Sequence, residues 1–296
     1  MERNHTPDSP GFADFLKVWP QYLLPTHLLS RVVHTATRVR VPFFKNLLIR
    51  RFMRGFGITL REAEVQKATD FESFNAFFTR ALKPEARPVV EAADALASPV
   101  DGTVYQAGSI ENNRIFQAKG QDYSLVELLG GLPGAAAPFL NGTFATIYLA
   151  PYNYHRIHIP LEGTLKRMVH VPGRLFSVNP PTVRKLPRVF ARNERVACIF
   201  DTPAGPMGVV MVGALFVGSI ETVWAGEVTP PMGRQVQQWS YEADSAPRFA
   251  KGAEIGRFNM GSTVILLFGK DVVTWHEQLQ PRMRVQVGEQ IGTFKR

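Results

Sequence analysis

The 296-residue sequence carries one cysteine, Cys198, which excludes a disulfide within the chain and cannot by itself build a zinc site. It sits in the apolar run VACIF and reads as a small core residue, not a nucleophile. No stretch reaches the roughly 20 apolar residues of a membrane-crossing helix; the longest, MGVVMVGALFVGSI, is short, rich in glycine and better read as buried strand. Met1 to Pro10 lacks the charged-then-apolar order of a secretory signal, so the N-terminus reads as retained. The sequence also lacks a G-x-S-x-G elbow and an H-E-x-x-H metal motif, which counts against an ordinary serine hydrolase and a zinc hydrolase.

Acidic residues are nearly missing from one segment. Residues 11 to 60 hold Lys17, Arg31, Arg38, Arg40, Lys45, Arg50, Arg51 and Arg54 against Asp14 alone, so most of the formal charge of +9 lies there. In the same segment Leu28, Leu29, Val32, Val33, Ala36 and Val39 recur at helical spacing, as do Phe43, Phe44, Leu47, Leu48, Phe52, Met53 and Phe56 after Pro42. Two basic amphipathic helices follow. They suit the headgroup layer of an anionic membrane, where each Lys or Arg near the surface contributes up to about 1 kcal/mol. The plainer reading packs their apolar stripes on the core with the basic face in water. Nucleic acid fits less well, because the aromatic residues share one helical face and no nucleic-acid module is recognisable.

After Phe71, Phe74, Phe77 and Phe78 mark a further short helix, Lys83-Pro84 and Arg87-Pro88 end it. From about residue 95 the texture changes to short Val/Ile/Phe runs broken by Gly and Pro, such as GTFATIYLAP and GSTVILLF. The expectation is an α+β chain, with a helical, membrane-associating region over 1–90 and a β-rich catalytic domain over 91–296. SPVDGTV and VQVGEQIGTF have the turn-and-strand texture of barrel-sandwich domains, and NPPTVRKLPRVFARNERV, residues 179 to 196, reads as a long loop bordering a site. A bare Gly261-Ser262 is a common turn into a strand, and Asp101 in Val-Asp-Gly-Thr is a common turn residue.

The joint pattern is more specific. F-x-x-G-S-T-V-I-L-L-F around Gly261, Ser262 and Thr263 resembles the self-cleavage site of the phosphatidylserine decarboxylase family. FNAFFTRALKPEARP, SPVDGTV, APYNYHRIHIP, PGRLFSVNP and FARNERV resemble further parts of that family in its order, from about residue 71 to 268. Met260 departs from the leucine expected before Gly-Ser-Thr, a swap that conserves volume.

The resemblance implies a proenzyme that cuts itself between Gly261 and Ser262. Ser262 would attack the Gly261 carbonyl, with His158 as base and Asp101 as its orienting carboxylate. Ester formation, elimination and hydrolysis would turn Ser262 into a covalent pyruvoyl group, the electron sink for decarboxylating phosphatidylserine to phosphatidylethanolamine. No other cofactor and no metal is expected, since His155, His158 and Asp101 lack a metal-binding spacing. His155 and His158 lie on opposite faces of a regular strand, so His155 is read separately, as an acid or positioning group toward substrate or as a hydrogen-bonded structural histidine. Arg174, Arg184, Lys185 and Arg188 are eligible phosphate contacts.

The implied partners are phosphatidylserine, an anionic membrane surface, and the two cleaved pieces themselves as a heterodimer of large and small chains. The implied place is peripheral, on the cytoplasmic side of the cell membrane. Two other classes stay open: a serine hydrolase using the same residue types, which stays one chain and reacts with acylating reagents, and a basic lipid- or nucleic-acid-binding β-domain, which neither cuts itself nor carries a carbonyl group.

Overall fold

A computed structural model describes residues 18–118, 120–216, 219–229, 235–242, 244–259 and 262–295. The fold is α+β, with N-terminal helices followed by a β-rich domain.

Strand-forming runs make a nine-stranded antiparallel sheet among the described residues. Its main path runs Gln237–Ser240, Gly163–Val171, Arg195–Thr202, Gly205–Val212, Ser262–Phe268, Thr143–Leu149, Gly102–Ser109, Arg284–Val285. The central strand, STVILLF, is buried at every residue and pairs along its length with Thr143–Leu149, and from Thr263 onward with Gly205–Val212. A continuous apolar run, not an alternating one, is what a strand covered on both faces requires. A four-stranded sheet orders Gly226–Glu227, Ile220–Thr222, Glu254–Phe258 and Arg156–His158. A three-stranded sheet joins Ala95–Ala97, Gln290–Phe294 and Val273–Trp275.

Cys198 lies buried in the Arg195–Thr202 strand, where burial pushes the thiol pKa up and suppresses the thiolate. Residues 179 to 196 are not the long loop expected. They fold into helices Pro180–Lys185 and Val189–Arg192 and enter the sheet at Arg195. Asn179 starts the first helix by accepting a hydrogen bond from the Thr182 amide, with proline in the first turn.

The basic helices are Thr26–Thr37 and Pro42–Phe56, the second opened by Pro42 and closed by Gly57 at a φ of 64°. Both turn polar side chains inward. Thr26, Ser30 and Thr37 are buried on the first while Leu28 and Val32 are 58% and 59% exposed; on the second Lys45 is buried and Phe43 is 81% exposed. Polar contacts hold the segment down. Gln21 accepts from the Ser177 amide at 2.9 Å, His27 Nε2 meets the Gly173 carbonyl at 2.9 Å, and Lys45 Nζ donates to the Thr69 carbonyl at 2.8 Å. Beneath the second helix a small separate core gathers Ile49, Leu60, Ala63, Phe71, Phe74, Phe77 and Phe78. No described helix is long and apolar enough to cross a membrane.

Candidate active site

Ser262 begins the central strand opposite Leu149, fully buried, and its Oγ has no hydrogen-bond partner among the described residues. A buried hydroxyl without a partner costs about 1–3 kcal/mol, which is tolerated where the group has work to do. Gly261 and Met260 lie outside the described residues. The approach to them is held on two sides: Asn259 donates through Nδ2 to Ser219 Oγ and accepts from Asn75 Nδ2 at 3.1 Å.

Asp101 stands at the same end of the Thr143–Leu149 strand as Ser262, on its other flank. Thr103 pairs with Tyr148, which puts Gly102 beside Leu149; across two strand spacings the Asp101 and Ser262 backbones are roughly 10 Å apart. Only glycine fits at 102, because a Cβ there would lie 2.5 Å from the Tyr148 carbonyl oxygen. The Asp101 carboxylate accepts from Arg87 Nε at 2.9 Å, Arg87 Nη2 at 2.6 Å and the Val287 amide at 2.9 Å. Burial opposes the Arg87 charge, but Asp101 and Glu62 together raise its pKa above the ordinary value.

His158 joins this neighbourhood through its backbone, donating its amide to the Pro99 carbonyl at 2.8 Å. Its Nδ1 lies 2.7 Å from the Gly252 carbonyl and its Nε2 3.1 Å from the Tyr154 hydroxyl. Burial raises the Tyr154 pKa, so the phenol keeps its proton and donates to Nε2, leaving the proton of the neutral ring on Nδ1. Burial lowers the His158 pKa, against the opposing pull of the Gly252 carbonyl, Glu254 and Asp101. The ring is therefore a neutral acceptor at Nε2 near pH 7. Among the described residues no hydrogen bond joins Asp101, His158 and Ser262 to one another.

His155 is fully buried and stacks on Phe78 with ring centroids 4.2 Å apart. Its Nε2 donates to the Ala150 carbonyl at 3.0 Å, one residue beyond the partner of Ser262, and its Nδ1 is buried with no hydrogen-bond partner among the described residues. Burial, reinforced by the Arg80 charge, pushes its pKa down to about 3. The ring is neutral at pH 7, so its unpaired nitrogen accepts a proton; it does not hold one in advance.

Sequence reasoning passed over five neighbours: Asn75, Arg80, Arg87, Tyr154 and Asn259. Three of them come from FNAFFTRALKPEAR, where the helix Phe74–Phe78 turns Phe78 toward His155, Asn75 toward Asn259 and, just beyond its end, Arg80 toward the site. Polar residues inside a phenylalanine-rich run were the available signal. Of the eligible phosphate contacts, Arg188 pairs with Glu127 at 3.0 Å, and Arg174 donates to the Tyr22 carbonyl and lies over Phe176.

A family model described as phosphatidylserine decarboxylase matches residues 74–293, and a second, described as PSD, matches residues 16–57. A protein of Alkalilimnicola ehrlichii named phosphatidylserine decarboxylase proenzyme is 60% identical over 254 residues, covering 86% of this chain and 88% of that protein. Proteins of the same name from Nitrosococcus oceani and Pseudomonas aeruginosa are 54% and 55% identical, each over 94% of this chain and over 91% and 97% of their own lengths.

Proposed function

The chain belongs to the phosphatidylserine decarboxylase family, and from that premise we propose that it cuts itself between Gly261 and Ser262 and then converts phosphatidylserine to phosphatidylethanolamine. The observation that carries this reading is Ser262 Oγ, sealed from solvent at the start of the central strand and without a hydrogen-bond partner among the described residues.

In the first reaction a ring nitrogen takes the Ser262 hydroxyl proton while Oγ attacks the Gly261 carbonyl, replacing the peptide bond by an ester. Removal of the Ser262 α-proton expels the Gly261 carboxylate and leaves dehydroalanine; water then replaces its nitrogen, which departs as ammonia. His158 is the base we assign, with Nε2 available once the Tyr154 hydroxyl turns away and Asp101 supporting the imidazolium across the site. One observation favours a second assignment. His155 Nδ1 and Ser262 Oγ are both buried without a partner among the described residues, and His155 is tied to the residue next to the Ser262 ladder partner. The new group at position 262 would be a pyruvoyl carbonyl, which supplies the electron sink for loss of carbon dioxide.

The piece from 262 to 296 stays in place after cleavage on this reading, because Ser262–Phe268 is paired on both flanks and Gln290–Phe294 pairs with Ala95–Ala97. The two pieces then form the heterodimer. The segment 1–90 serves as the region that meets the lipid surface and 91–296 as the catalytic domain, with Leu28, Val32, Phe43 and Leu47 entering the bilayer interface and exposed Arg31, Arg50, Arg51 and Arg54 beside them meeting its anionic headgroups. That docking is peripheral.

Intact mass under denaturing conditions, before and after hydroxylamine, tests the chemistry. Two chains split after Gly261, the smaller one lighter by the serine-to-pyruvoyl change and reactive with the reagent, are expected. A single unreactive chain of 33.1 kDa from active protein overturns it.

A further inference from the structure

Three arginines near the sheets are withdrawn from solvent to different degrees, and they are satisfied very differently. Arg195, 2% exposed, donates to the carbonyls of Leu128, Asn193 and Glu127 at 2.6–2.7 Å. Arg87 is forked onto Asp101 and also reaches Glu62 at 3.1 Å. Arg80, 8% exposed, makes among the described residues a single long hydrogen bond of 3.4 Å, to the Tyr152 carbonyl, and its guanidinium lies over the Phe77 ring at 5.5 Å. No carboxylate among the described residues lies within ion-pair distance of it. A buried cation with most of its five N–H donors unused is costly unless an anion completes it.

Arg80 also sits beside the reaction centre. Its charge acts on both His155 and Asp101, and His155 is bonded to Ala150, adjacent to the ladder partner of Ser262. Resting on the assignment of phosphatidylserine as substrate, we propose that Arg80 is a substrate-binding residue whose guanidinium takes the phosphodiester of the lipid headgroup. The phosphorus is three bonds from the reacting α-carbon, so one site holds both. The substrate carboxylate is the other anion within reach, but it leaves as carbon dioxide; an arginine clamped on it would stabilise the ground state more than the transition state and slow the reaction. The phosphodiester keeps its charge throughout, so pairing with it binds substrate and transition state alike. A bidentate guanidinium matches two phosphate oxygens.

The test uses the full-length Ser262→Ala chain, which separates binding from both cleavage and turnover, and short-chain phosphatidylethanolamine, which has the phosphodiester and no carboxylate. Calorimetric titration is expected to show at least tenfold weaker binding when Arg80→Gln is added. Binding of short-chain phosphatidylserine should fall by a similar factor. Equal affinity with and without Arg80 overturns the proposal, as does a loss confined to phosphatidylserine, which would assign Arg80 to the carboxylate. Should Arg80→Gln fail to fold by circular dichroism, Arg80→Lys replaces it: on the matured enzyme KM should rise severalfold with kcat within about twofold, and a fall in kcat at constant KM overturns the assignment. Failure of the Ser262→Ala chain to bind either lipid also overturns it, while intact mass of the wild-type chain tests self-cleavage independently.

Discussion

On the strand Ser262–Phe268 every side chain is buried, whereas on the helices Thr26–Thr37 and Pro42–Phe56 Leu28, Val32, Phe43 and Leu47 stand in solvent, Thr26, Ser30, Thr37 and Lys45 turn inward, and only Ile49 with Leu48, Phe52 and Met53 packs on the small core. Both regions use the same apolar residue types. In the strand all of them are covered by the chain's own neighbours; in the helices several are left exposed. An amphipathic helix made only to complete a domain points its apolar stripe at the core. These helices are held by His27 and Lys45, by Gln21 just before them and by the small core under Ile49, which leaves Leu28, Val32, Phe43 and Leu47 exposed, the surface that the proposed lipid interface would use.

The sharpest break in that contrast comes from the strand. Ser262→Ala should leave one uncut chain without decarboxylase activity; appearance of the 262–296 piece in that variant would sink the mechanism. Of the two histidine variants, His158→Gln should abolish cleavage while His155→Gln slows it, as followed by gel or mass; the reverse order transfers the base to His155. Next in size, Leu266→Ala in the central strand should cost about 2–5 kcal/mol in urea unfolding, whereas Leu28→Ala on the helix should change stability by no more than about 0.5 kcal/mol.

An intermediate effect is expected from pH. The folded pKa of His155 is depressed to about 3 from 6.5, so the unfolded chain takes the proton first. Its stabilising contribution is complete above pH 6.5 and drains away as pH falls from 6.5 toward 3, with a slope approaching about 1.4 kcal/mol per pH unit. His155→Gln should flatten the unfolding free energy over that window, and an unchanged slope would mean that the ring is not held neutral by burial. The smallest change in stability and a clear change in location should come from Phe43→Ser with Leu47→Ser: unfolding nearly unaltered, sedimentation with anionic vesicles reduced. Stability lost with vesicle binding kept would make that face part of a protein core after all.

Much of the fold is legible in the residues themselves. Val264 to Phe268 announce a buried strand, the phenylalanines a short helix that the structure confines to Phe74–Phe78 with Phe71 before it, and the basic amphipathic helices are placed by their spacing and by Pro42. Residues 179–196 mislead because prolines and arginines suggest a loop, while the Asn179 cap that makes Pro180 a helix start is a contact within three residues that composition does not reveal. The site is legible as residue types. Asp101, His155, His158 and Ser262 stand out, but the contacts that Arg87 and Val287 make to Asp101 come from 14 and 186 positions away.

The sequence alone determined that helices precede a β-rich domain, the scarcity of acid in the segment from 11 to 60 and the family motifs, because propensity, periodicity and charge are carried by neighbours along the chain. Only the tertiary structure decided which face of each basic helix meets the protein, that Arg87 claims the Asp101 carboxylate, and that Arg80 finds no carboxylate among the described residues. Periodicity says which residues share a face; what that face meets, and whether a buried charge finds its counter-ion, is settled only when distant segments pack together.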